Sequence, residues 1–126
     1  MPPLVQIKNH TRPLNSLLTV GYCESFLCKL RGLTLCRSLA HESGLLLVGG
    51  KDSRLDAAIH MVGVFFDLGI VWINDDNRVV DRRLARAWIS VQMPSQPARF
   101  VLEIAPERLE DFQIGDEVSF EEVVKT

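Results

Sequence analysis

Apolar residues recur at every second position along several short stretches of this chain, the period of strands with one covered face. Leu4-Val5-Gln6-Ile7 opens in this way, and Leu17-Leu18-Thr19-Val20 answers it across the turn-forming Asn9-His10-Thr11-Arg12-Pro13. The start therefore reads as a hairpin. At Gly21 the period changes. Cys23, Phe26, Leu27 and Leu30 fall at i, i+3, i+4 and i+7, one face of a short helix. Lys29 and Arg31 occupy its last turn, and Gly32 is placed to end it at positive φ.

The glycine-bounded run Gly44–Gly50 reads as a buried strand, and Ile59–Phe66 and Leu68–Ile73 as two more. Asp75-Asp76-Asn77 tolerates the left-handed backbone of a tight turn and returns the chain as a strand from Arg78 to about Leu84. In Arg99–Ile104, alternation sends Phe100, Leu102 and Ile104 inward and Arg99, Val101 and Glu103 outward. Pro106 starts a second short helix carrying Leu109 and Phe112, and Gly115-Asp116 turns into a last strand around Val118 and Phe120. Together these elements predict an α+β domain, mostly β. Its geometry is a curled antiparallel or mixed sheet, or a small barrel, with two short helices.

Composition narrows the class. A chain of 126 residues suits one domain, and 47% hydrophobic with 24% charged residues excludes a disordered one. The net charge of −2 offers no overall attraction to nucleic acid or an anionic membrane, so neither is an expected partner. The apolar run Ala57–Ile73 is interrupted by His60 and Asp67, which suits buried strands better than a membrane span. Cys23, Cys28 and Cys36 are spaced C-x4-C-x7-C, neither a disulfide framework nor a zinc pair. The expectation is three free thiols, no bound metal and no cofactor. Met1-Pro2-Pro3-Leu4 lacks the pattern of a secretory leader. Thiols and N-terminus together point to the cytoplasm.

Cys23–Leu33 (CESFLCKLRGL), Ala58–Val80 (AIHMVGVFFDLGIVWINDDNRVV) and Pro97–Ile104 (PARFVLEI) occur in an order that carries a resemblance. The chain resembles, from about Leu4 to Phe120, the small bacterial and archaeal family catalogued as domain of unknown function number one hundred and ninety-two. The resemblance implies a compact, β-rich single domain and no activity. The family tends to place proline, an aliphatic residue and aspartate after its Phe-rich strand, where this chain has Asp67, Leu68 and Gly69. The family's aspartate position is therefore filled by a glycine.

Candidate chemistry is sparse. His60 interrupts an apolar strand and is either a hydrogen-bonded core residue or an acid/base group. Asp67, seven residues on, reaches it only if the chain bends sharply. Arg78, Arg82, Arg83 and Arg86 form the one basic cluster, with Trp88 nearby, and suit a solvated strand face. Two guanidiniums and an imidazole from the shared motifs, Arg31, His60 and Arg99, would suit an anionic ligand if they met in one concavity. The expected function is a non-catalytic binding module for a small anionic ligand or a protein partner. The alternatives are an acid/base or hydrolytic enzyme centred on His60 and an interaction module acting through a sheet edge.

Overall fold

Seven strands hydrogen-bond into one mixed sheet in this computed structural model, which describes residues 3–25, 28–29, 32–33, 38–61, 64–88 and 91–123. The strands are β1 (Leu4–Asn9), β2 (Thr19–Cys23), β3 (Ser43–Ser53), β4 (Ile59–His60), β5 (Leu68–Ile73), β6 (Val79–Ala85), β7 (Val91–Gln92), β8 (Ala98–Ile104) and β9 (Val118–Glu122). A 3-10 helix, η1 (Pro106–Asp111), stands between the last two. The sheet order is β6-β5-β8-β3-β2-β1-β9, with β4 and β7 forming a separate two-stranded ribbon. Within the large sheet only β2 and β3 run parallel. Strand β8 thus sits between β3 and β5, although it comes late in the chain.

The hairpins follow their turn chemistry. Asn77 takes φ +59° between β5 and β6, and Gly115 takes φ +96° before β9, as the residue types predict. The two edge strands touch at one corner. Arg78 bridges Glu117, the Val79 N–H donates to Asp116 O at 2.9 Å, and the Val118 N–H donates to Asn77 O at 2.9 Å. The open sheet is therefore curled.

Both faces of the sheet are covered. Ile7, Leu46, Leu102 and Phe112 belong to one core, while Met61, Ile70, Trp72 and Val101 belong to a second. The Trp72 indole N–H donates to Ala57 O at 2.8 Å and ties the connection before β4 onto that second face. This corrects the alternation drawn for β8: Val101 and Glu103, expected outward, are 3% and 6% exposed. Alternation assigns a residue to a face but does not say whether that face meets water.

Two short helices are not found among the described residues. The segment at Pro106 is 3-10, because six residues give too few i→i−4 bonds to repay nucleation of an α-helix. The first expected helix falls partly outside the described residues, with Phe26, Leu27 and Leu30 of its apolar face among those not described. The described residues within it carry helical bonds, Lys29 N–H to Ser25 O at 3.0 Å and Gly32 N–H to Cys28 O at 2.9 Å, and Gly32 has φ +50°. The expected strand Ile59–Phe66 contracts to Ile59–His60, with the Val64 N–H turned back onto Met61 O at 3.0 Å.

The cysteine expectation is overturned for two of three residues. Cys23 and Cys28 form a disulfide with Cα atoms 5.6 Å apart, because the turn after β2 folds the chain back to the separation a bridge requires. Cys36 lies outside the described residues. Among the described residues no helix is long and apolar enough to cross a membrane.

Candidate functional site

Strands β3 and β8 lose register between Val48 and Ser53, and a cleft of about 180 Å³ opens where they do. Gly49 allows the close approach on one side, since a Cβ there would stand 2.8 Å from Arg99 O. Leu47 and Val101 contribute apolar surface to the cleft. Among the described residues, Lys29, Lys51 and Arg99 line it with one carboxylate, Asp56. The three cations come from the turn after β2, from β3 and from β8, so separate elements gather them. Arg99 is held firmly: Nε donates to Gly49 O at 2.8 Å and Nη1 to Asp75 Oδ1 at 2.7 Å, with the guanidinium 5.1 Å above the Phe100 ring. Lys51 is exposed and Lys29 half-buried.

Of the two expected site residues among those described, Arg99 lines this cleft and His60 does not. Arg31 lies outside the described residues. His60 is exposed at the end of β4, where it pairs with Val91 of β7, and it does not line the cleft. Its expected carboxylate partner is engaged elsewhere: Asp67 accepts the Ala87 N–H at 2.9 Å and lies 3.7 Å from Arg86. The other clustered arginines are similarly occupied. Arg78 donates to Gly115 O at 3.3 Å, Arg82 to Leu109 O at 2.9 Å and Arg83 to Asp81 at 2.9 Å, with Arg83 also 5.5 Å from the Trp72 ring.

Gly69 has a structural account. A Cβ at this position in β5 would lie 2.8 Å from Leu109 Cγ, so η1 occupies the space an aspartate would need.

Two residues escaped the sequence reading. Lys51 lies just past the strand expected at Gly44–Gly50, within the longer β3. Glu103 is the more consequential: its carboxyl is buried on the same face of β8 as Arg99 and Val101, and Oε1 has no hydrogen-bond partner. Burial pushes its pKa up to about 7.

These features define a class: a β-rich domain with a curled mixed sheet and a small, cation-lined cleft on one face. A family profile matches residues 5–120, and the chain belongs to the DUF192 family, described as uncharacterized ACR. It is 33% identical over 104 residues to a UPF0127 protein of Thermococcus gammatolerans, with 81% of this chain and 66% of the relative covered. A UPF0127 protein of Thermococcus kodakarensis is 31% identical over 84 residues, with 67% and 52% covered. The chain thus spans only about half to two thirds of these relatives' length. Among solved structures, a Sinorhizobium meliloti 1021 protein provisionally described as a transcription regulator superposes with a TM-score of 0.80 at 18% identity. The match covers 94% of this chain and 92% of that one. A protein of unknown function from Novosphingobium aromaticivorans DSM 12444 gives 0.77 at 20% identity, covering 92% and 83%. Likeness at such identities concerns the fold.

Proposed function

We propose that this domain binds a small anionic molecule in the cleft between β3, β8 and the turn after β2, as a binding module without catalysis of its own. The observation that supports this is the gathering of Lys29, Lys51 and Arg99 around one cleft where, among the described residues, Asp56 is the one lining carboxylate and Asp75 pairs with Arg99. Arg99 is pre-positioned by its bonds to Gly49 and Asp75, so less freedom is lost when an anion arrives. Apolar surface from Leu47 and Val101 suits a ligand with a short hydrocarbon part. Exposed His60 stands outside the cleft and adds nothing to a hydrolytic reading.

The test is titration of the protein at low salt with phosphate and a series of short monocarboxylates, followed by amide chemical shifts. Binding should perturb residues of β3 and β8 around Gly49 and Arg99. Lys51→Ala should weaken it about fivefold, on the order of 1 kcal/mol, without lowering Tm, because Lys51 is exposed. Absence of saturable binding, or an affinity unchanged in Lys51→Ala, overturns the proposal.

A further inference from the structure

Glu103 is a carboxyl in a place built for a hydrocarbon. In register on the same face of the sheet, its neighbours are Leu45 of β3 and Ile70 of β5, both apolar. The residue is 6% exposed, and Oε1 neither donates nor accepts a hydrogen bond. Buried polar atoms nearly always find a partner, and leaving one without costs about 1–3 kcal/mol. A stability argument therefore gives no reason for Glu103, and a missing partner does.

Position says where that partner comes from. Arg99, Val101 and Glu103 share one face of β8, and the first two line the cleft. Glu103 follows Val101 by two residues, ~7 Å further along the strand at ~3.4 Å per residue. The turn after β2 spans the same interval. Lys29 lines the cleft, and Gly32 lies where a Cβ would be 3.9 Å from Glu103 Oε1. The carboxyl thus follows cleft-lining Val101 on the same face of β8 and lies near Gly32, three residues after cleft-lining Lys29.

We propose that the ligand is bifunctional, with an anionic group held by Lys29, Lys51 and Arg99 and a hydrogen-bond donor, an amine or hydroxyl, that reaches the Glu103 carboxyl. This rests on the cleft being an anion site and adds the class of ligand: an amino or hydroxy acid with the two groups separated by a short chain. The apolar strip at Leu47 and Val101 lies beside the path of that chain. An arriving ammonium would restore the partner the carboxylate lacks, and burial would strengthen the pair.

Hexanoate, 6-hydroxyhexanoate and 6-aminohexanoate are the probes, with butanoate and 4-aminobutanoate as the shorter set, each titrated calorimetrically into the wild-type protein. One amino acid of the set should bind at least tenfold tighter than the parent carboxylate. Glu103→Gln should abolish that preference while leaving the parent carboxylate's affinity unchanged. Glu103→Asp, which withdraws the carboxyl by one methylene, should reduce it. Should the glutamine variant not fold, the wild-type comparison alone still decides. Carboxylates that bind while their amino counterparts bind no better overturn this inference and leave the anion cleft standing. A preference that survives in Glu103→Gln does the same. Failure of every probe and of phosphate to bind overturns both.

Discussion

Asp116 shows how much a single side chain can organise. Its carboxylate accepts from Arg12 Nε at 2.7 Å, Arg12 Nη2 at 2.9 Å, Asn9 Nδ2 at 2.9 Å and the Gln113 N–H at 2.9 Å. The Arg12 hydrogen bond is the main reason its pKa falls to about 2, with Asn9 and Gln113 adding to it against burial. A depressed carboxylate contributes stability that is full above its unfolded pKa, ~3.9, and lost as pH falls through the folded value. The contribution is about 2 kcal/mol, leaving through the window from about 4 down to about 2. Asp116→Asn should lower Tm at pH 7 and flatten the acid limb, so that the two melting curves converge near pH 2; parallel acid limbs would refute the assignment. None of this was legible locally, since Arg12 and Asn9 lie 104 and 107 residues away and Gly115-Asp116 announced only a turn. Glu103 was missed for a related reason. Its outward position in an alternating strand was correct in direction, but residues from a distant connection had covered that face.

At the scale of elements, strands and their turns were the legible part. The β1–β2 and β5–β6 hairpins pair as their alternation and turn residues require, and Gly32, Asn77 and Gly115 take the positive φ their positions called for. Short segments without a full turn of propensity were not legible, since packing rather than local preference decides them. This is why Pro106–Asp111 winds as 3-10 and why the strand at Ile59 stops at His60. The packing of η1 on β5 carries its own test. Because Leu109 fills the space beside Gly69, Gly69→Ala should destabilise by ~1–3 kcal/mol. Combined with Leu109→Ala, which vacates that space, the loss should fall short of the sum by at least ~0.5 kcal/mol in urea melts. Additive losses would mean that Leu109 does not account for the glycine.

At the scale of the molecule, a mostly β mixed sheet was evident from pattern, whereas the assembly of the candidate site was not. Arg99, Lys51 and Lys29 become neighbours only through the β3–β8 register shift and the turn after β2. The Cys23–Cys28 link pins that turn to the end of β2. It closes a short loop and restricts the unfolded chain, worth roughly 2 kcal/mol by the loop-entropy relation. Cys28→Ser should therefore lower Tm by several degrees, and the unfolded wild-type protein under non-reducing conditions should titrate one thiol, Cys36. Three titratable thiols would show the bridge to be absent.

Strand β8 also governs the order in which the molecule can be made. In the order of the sheet it stands between β5 and β6 on one side and β3, β2 and β1 on the other, yet it leaves the ribosome after all five. Until Ala98–Ile104 emerges, the nascent chain holds the three strands β1, β2 and β3 and, apart from them, the β5–β6 hairpin, each with an open edge facing the place the missing strand will occupy. Those edges are at their most vulnerable to pairing with another chain during that interval. With β3 paired to β8 and β1 to β9 across long stretches of sequence, the domain belongs among the slow-folding β topologies. Synthesis that stalls before residue 98 would leave an aggregation-prone remnant, whereas a break after β8 would leave six strands joined and lose η1 and the outermost strand.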